Sequence, residues 1–212
     1  MVDPHLVEIV KKTLKGTKQR KFLESVELAV NLGDIDLSDP KNRIQEDILL
    51  PKGRGKPIKV GLFGSSEMAG KAKEVADLII RPEEIEGIAE NKAKAKKTLE
   101  DYDFFVAEAP LMPTIGKKFG TILGTTGRMP RPIPPGSDPS TIIKNLKNSV
   151  RVRTKDKYTF HVPIGTKEMS PEDLAENLDV VLKRLISKLE RGKQNIKSAY
   201  LKSSMGPSQK VM

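Results

Sequence analysis

The chain has no cysteine and no tryptophan, only two histidines, and few rings: six Phe and three Tyr in 212 residues. Without cysteine there are no disulfides, thiol nucleophiles or thiolate metal sites, and a reducing compartment suits the chain. His5 and His161 lie far apart in sequence, so a histidine zinc site, and with it any metal, is not expected. Scarce aromatics argue against a base-stacking platform, which needs exposed rings. No apolar run approaches the roughly 20 residues that span a bilayer, and the first residues hold no signal-peptide core. The expectation is a soluble, cytoplasmic protein with no membrane contact.

What is present is charge. With 37% hydrophobic and 31% charged residues, the chain can build a core under a heavily solvated surface, as one large domain or two small ones. Its net charge of +10 is unevenly spread. Residues 1–57 carry 11 Lys+Arg against 9 Asp+Glu, residues 58–147 carry 14 against 12, and residues 148–212 carry 13 against 7. The two ends thus hold +8 of the +10. Solvation alone would be the bland explanation, but segregated positive charge predicts a polyanion partner, a nucleic acid before a neutral metabolite.

The patterning divides the chain. Asp3-Pro4 opens a helix carrying Leu6, Val10 and Leu14, which Gly16 stops. Phe22, Val26, Leu28, Val30 and Leu32 share one strand parity, broken only by Glu24, while Ser25, Glu27, Ala29 and Asn31 form a polar face. A second strand is expected over Ile44 to Leu50, before the basic connector Lys52 to Pro57. Strands at Ile58–Phe63, Leu78–Ile80 and Phe104–Ala107 then alternate with helices expected at Glu67–Asp77, from Pro82 through Lys92, Lys94, Lys96 and Lys97, at Thr114–Phe119 and at Pro139–Asn148. That alternation predicts a parallel sheet with helices on both faces. From Val150 to Val162 a hairpin is expected, turning at Thr154 to Lys157. Ser170-Pro171 starts a helix with a wide apolar stripe from Leu174 to Leu189, and a last strand runs from Ile196 to Ser204.

Neither end alone can close a core. The expected architecture is therefore mixed α/β and α+β in two domains: a discontinuous α+β sandwich from residues 1–57 and 148–212, and an inserted Rossmann-like parallel α/β domain over 58–147. Two linkers at one place form a natural hinge.

Motifs for chemistry are weak. Gly64 to Gly70-Lys71 follows a strand, but its spacing fits neither the dinucleotide fingerprint nor the P-loop, and Ala72 offers no hydroxyl to magnesium. A tight strand-to-helix turn is the simpler reading. The glycine-rich stretch Gly120 to Pro132 reads as a long loop, either gripping phosphates through backbone N–H groups or serving as a rigid connector. Acidic pairs such as Glu83-Glu84 sit at helix starts, where the helix dipole accounts for them, and His161 reads as a structural histidine on a strand. No catalytic residue, no cofactor and no enzyme is expected. The alternative, a nucleotide-dependent enzyme using the inserted domain, has only the failed phosphate motifs behind it.

Two segments remain. Arg20-Lys21-Phe22 enters the polar strand face of Ser25 and Glu27, and the last strand ends in Ser198, Lys202, Ser203, Ser204, Met205 and Gly206 before Pro207. A solvated sheet edge, with Phe22 in the core, is one reading. On neighbouring strands the same residues form one surface, where lysines hold phosphates and Ser, Glu and backbone groups meet sugar hydroxyls and base edges. Glu27 repels phosphates, so its presence favours specific RNA recognition over general polyanion binding.

These residues also carry a resemblance. Arg20-Lys21-Phe22 through Ser25, Glu27 and Asn31 is similar to the N-terminal signature of the ribosomal protein L-one family, stalk proteins of the large subunit beside the tRNA exit site. The likeness continues in order through Leu50-Pro51-x-Gly53-x-Gly55-Lys56, Gly127-Arg128-Met129-Pro130-x-Pro132, His161-x-Pro163-x-Gly165 and Ser204-Met205-Gly206-Pro207. It covers essentially the whole chain and looks archaeal. Ser204 stands where bacterial members usually have Thr, and Arg128 and Arg131 replace variable loop residues, so the loop's shape carries over but not its contacts. The resemblance implies two domains and binding of a helix-loop-helix element of large-subunit rRNA. It further implies repression of the protein's own mRNA, assistance to deacylated tRNA leaving the exit site, a ribosomal location in the cytoplasm, and a monomer when free. It assigns RNA contact to Lys21, Phe22, Ser25, Glu27, Ser198, Ser204, Met205 and Gly206, with Lys167, Lys202 and Ser203 as neighbours.

Overall fold

The computed structural model describes residues 3–155 and 157–212, apart from the side chains of Lys92 and Lys94. In chain order the elements are α1 (Pro4–Lys15), β1 (Ser25–Leu32), β2 (Gln45–Leu49), β3 (Val60–Phe63), α2 (Ser66–Ala72), β4 (Leu78–Ile80), α3 (Pro82–Glu90), α4 (Lys92–Glu100) and β5 (Phe104–Glu108). They continue with α5 (Met112–Thr126), β6 (Arg131–Ile133), α6 (Pro139–Lys147), β7 (Ser149–Arg153), β8 (Thr159–Thr166), α7 (Pro171–Lys188), β9 (Ile196–Ser203) and β10 (Gln209–Lys210). The topology is mixed α/β, and the chain splits into two compact units, Met1–Lys56 with Asn148–Met212, and Pro57–Lys147.

In the first unit the strands run antiparallel in the order β10-β9-β1-β8, and β2 pairs β7 separately. β1 alternates strictly between half-buried and buried residues. Its inner parity of Val26, Leu28, Val30 and Leu32 joins a core with Leu6 and Val10 of α1 and Leu174, Leu178, Val181 and Leu185 of α7. Both helices start on side-chain caps: Asp3 accepts from the His5 N–H, and Ser170 from the Asp173 N–H. Pro163 has no N–H to give to the ladder. It is tolerated because β8 is an edge strand and its register with β1 shifts between Val26 and Glu27.

In the second unit four parallel strands follow the order β4-β3-β5-β6. Alternate residues of β3 and β5 point to opposite faces. Val60, Leu62, Phe104 and Val106 pack with Met68 of α2 and Ile143 and Leu146 of α6. Phe63, Phe105 and Ala107 pack with Ile85, Leu99, Ile115, Phe119 and Leu123 from α3, α4 and α5. Helices therefore cover both faces. Gly61 sits where any side chain would strike the Phe105 ring, at 2.6 Å from an added Cβ.

Several elements differ from the sequence reading. α2 ends at Ala72, shorter than expected. The single long helix from Pro82 is two, because Asn91 takes an extended conformation (φ −107°, ψ 92°) and its carbonyl accepts the Ala95 N–H to begin α4. The largest error concerns the glycine-rich stretch. Gly120 and Gly124 lie within the 15-residue helix α5, whose buried Ile115, Phe119 and Leu123 hold it in place despite a cost of ~1 kcal/mol per glycine. The loop begins only at Gly127, the left-handed C-cap (φ 75°), and β6 soon follows. Among the described residues the expected hairpin does not pair: β7 pairs β2, while β8 pairs β1. Its turn, Thr154 to Lys157, includes Asp156, which lies outside the described residues.

Candidate nucleic-acid interface

The half-buried parity of β1 faces away from the helices. Residues opposite each other on antiparallel strands share a face, so the register gives this surface row by row. Pro163, Glu27 and Lys202 form one row across β8, β1 and β9; His161, Ala29 and Tyr200 form the next; Thr159, Asn31 and Ser198 form the third. Glu27 thus stands directly opposite Lys202, and Ala29 leaves room between an imidazole and a phenol. His161 is exposed on this open face, which corrects its reading as a structural histidine.

The end of the sheet nearest Ser25 carries two exposed apolar groups. Phe22 is 54% exposed and Met205 61% exposed. Phe22 follows the strand parity in sequence, yet β1 starts only at Ser25, so Phe22 lies outside the strand and outside the core. Ser204 closes against Ser25. Its N–H donates to the Ser25 carbonyl at 3.0 Å, and its hydroxyl accepts the Ser25 N–H at 3.2 Å. The Lys56 ammonium donates to the Ser25 hydroxyl at 2.9 Å, placing a cation from the connector beside that pair.

Of the eleven expected contact residues, the structure gathers some and separates others. Ser25, Glu27, Lys202, Ser204, Met205 and Gly206 meet at one end of the β1–β9 pair, with Lys21 and Phe22 on the segment that leads into β1. Ser198 does not join them. It faces Asn31, six residues along β1 from Ser25, or about 20 Å away at strand rise. Its hydroxyl accepts from the Asn31 amide at 2.8 Å, whose oxygen in turn accepts from Thr159 at 2.7 Å. Ser203 points to the inner face, is fully buried, and shares a 3.0 Å hydrogen bond with the Thr17 hydroxyl. It supports the surface from behind. Lys167 donates to the carbonyls of Thr17 and Lys18 at 3.2 Å each, bracing the turn after α1.

Lys56, Tyr200 and His161 share this region without having been expected as contacts. Lys56 was legible only as part of a glycine-rich connector; its approach to Ser25 depends on how that connector folds. Gly53 (φ 66°) and Gly55 (φ 70°) take left-handed conformations there, and Asn177, fully buried in α7, donates to the carbonyls of Gly53 and Ile164 and accepts the Lys52 N–H. Glu176 and Asp173 hold the Lys52 ammonium above its ordinary pKa.

Among its described residues the second unit offers no comparable site. A ligand on a parallel sheet sits where the strand order reverses, here at the ends of β3 and β5. At that place Ser65 donates to Glu108 at 2.6 Å, and a carboxylate repels the phosphate that a nucleotide would bring. Among the described residues there is no cluster of three or more His, Asp or Glu able to hold a metal, and no helix long and apolar enough to cross a membrane.

Comparison with known proteins shows the family. The profile of the Ribosomal protein L1p/L10e family matches residues 12–207. The chain is similar to proteins named large ribosomal subunit protein uL1. The one from Methanocella arvoryzae is 51% identical over 213 residues, covering all of both chains. That of Thermoplasma volcanium is 53% identical over 205 residues, 97% of this chain and 93% of the relative. That of Archaeoglobus fulgidus is 49% identical over 208 residues, 98% of this chain and 97% of the relative.

Proposed function

The chain belongs to the Ribosomal protein L1p/L10e family and shares its structural, RNA-binding role rather than an enzymatic one; from that premise we propose that it binds the stalk of large-subunit rRNA through the open face of the β1–β9 pair. The observation that carries this reading is the convergence of exposed Met205 and Phe22 with Lys56, Lys202 and Glu27 at one end of an otherwise polar sheet. Lysines there meet phosphates, while Ser204, Ser25 and Glu27 offer groups to 2′-hydroxyls and base edges. Exposed Met205 and Phe22 lie flat against ribose or base. The first unit acts as a discontinuous RNA-binding α+β domain, into which the second is inserted as a Rossmann-like domain. On the ribosome the protein assists deacylated tRNA out of the exit site, and in free form it represses its own message through an element like the rRNA one. Both of these roles follow the family resemblance.

The test is binding of the purified protein to a stalk-type rRNA fragment and to a scrambled RNA of equal length, across a salt series. Specific recognition gives tight binding that persists at high salt for the fragment alone. Equal affinities that collapse together with salt would reduce the interface to its charge. Repression is read separately, by titrating the protein into in vitro translation of its own message. Translation that is indifferent to the protein would remove that role and leave the rRNA role standing.

A further inference from the structure

Glu24 breaks the apolar parity that leads into β1, and the structure shows where it goes. It is buried to 1% exposure. Its Oε1 accepts the Met205 N–H at 3.1 Å, whereas Oε2 is buried with no hydrogen-bond partner among the described residues. A carboxylate held this way is costly, since one oxygen has lost water and gained nothing. An apolar side chain would serve the core better.

The reason lies in the turn above it. Ser203 to Gly206 closes with the Gly206 N–H donating to the Ser203 carbonyl at 3.3 Å, so Ser204 and Met205 are the two central residues. In such a turn the ladder and the closing bond leave the N–H of the second central residue without a backbone acceptor. The base of the turn is held several times over, by Ser204 to Ser25 and by Ser203 to Thr17. At the tip, the N–H of Met205 is held by Glu24. The carbonyl of Glu24 also accepts the Lys167 N–H at 3.0 Å, which ties the same residue to the bracing lysine.

We propose that Glu24 is a positioning residue for RNA recognition: it never touches RNA, but fixes the tip that presents Met205 and Gly206. The inference rests on the interface proposed above. It predicts an unusual separation of stability from binding. Glu24→Leu removes both the acceptor and the buried unpaired oxygen, so the fold is as stable as the parent or more so, yet affinity for the stalk-type rRNA fragment falls at least tenfold. Glu24→Gln keeps an acceptor for Met205 and stays within about threefold of the parent. Affinity for scrambled RNA is unchanged in both.

Met205→Ala separates the two ideas. If it leaves fragment affinity unchanged, the interface reading itself fails. If it weakens binding while Glu24→Leu does not, only the role of Glu24 is overturned. The double variant is expected to be no worse than the poorer single one; additive losses would mean that Glu24 acts elsewhere. Should Glu24→Leu not fold, hydrogen exchange in the unaltered protein decides: the Met205 amide is expected to exchange at least tenfold slower than in an unstructured chain of the same sequence, and equal rates overturn the proposal.

Discussion

Gly206 illustrates how a residue's role changes once its neighbours are known. In sequence it stands as one of the residues to which the family resemblance assigns RNA contact. In the structure, the space beside it is taken by the protein itself: a Cβ would collide with the Ser203 hydroxyl and lie 2.9 Å from that of Thr17. Its φ is not in the left-handed region, so the demand for glycine is steric. Gly206→Ala is therefore expected to push the turn outward, costing about 1–3 kcal/mol of stability by overpacking and weakening rRNA-fragment binding about tenfold. Adding Ser203→Ala takes away the nearest obstacle and restores part of both losses. Denaturant titration and fragment binding on the single and double variants check this; a double variant no better than Gly206→Ala would place the cause outside this contact.

At the scale of elements, the connector between β2 and the second unit depends on one helix residue. Asn177 gives two hydrogen bonds, to Gly53 at 2.9 Å and Ile164 at 2.8 Å, and takes one from Lys52 at 3.1 Å. Asn177→Ala leaves three backbone groups without that partner and opens a small cavity. The expected loss is about 2–4 kcal/mol, seen as a lower urea midpoint with unchanged slope; an unmoved midpoint would show that water replaces the amide at no cost. Nothing in sequence distinguishes Asn177 from a solvated polar residue on an amphipathic helix. By contrast α1, α7, β1 and the parallel strands were legible, because caps, apolar stripes and strict alternation are local signals. What escaped was set by distant partners. β7 and β8 read as a hairpin because they are adjacent and alternating, but β2 and β1 compete for them and win. The second half of α5 read as a loop because Gly120, Gly124 and Gly127 outweigh one apolar stripe until Phe63 and Phe105 are there to receive it. Phe22 read either as core or as an RNA contact, because parity says nothing about where a strand begins; Ser203 read as surface because its hydroxyl was weighed with that of Ser204, although it shares the inward parity of Ala199 and Leu201.

At the scale of the whole molecule, charge and core divide in the same way. The core of the first unit draws on α1, β1, β2, β7, β8, α7 and β9, and the two clusters of the second unit share no residue with it. Residues 1–57 and 148–212 also hold +8 of the +10 net charge. The chain leaves and re-enters the first unit at neighbouring points: Leu49 is paired with Ser149, the Leu50 N–H donates to the Asn148 carbonyl at 2.9 Å, and a Cβ on Gly53 would lie 3.1 Å from the Asn148 side chain. Lys56 is three residues beyond Gly53, at most about 11 Å of chain, so a flexible linker of about six residues can join it to Asn148 without strain. Replacing residues 57–147 by such a linker is expected to leave a cooperatively folding protein, since no buried cluster is cut. Because Met205, Glu27, Lys56 and Lys202 all remain, its affinity for the rRNA fragment should stay within about threefold of the full chain, with nearly the same salt slope, because the deleted segment contributes a net charge of only +2. A folded product that binds tenfold more weakly, or with a much shallower slope, would mean that the second unit makes its own phosphate contacts and that recognition is shared between the two units.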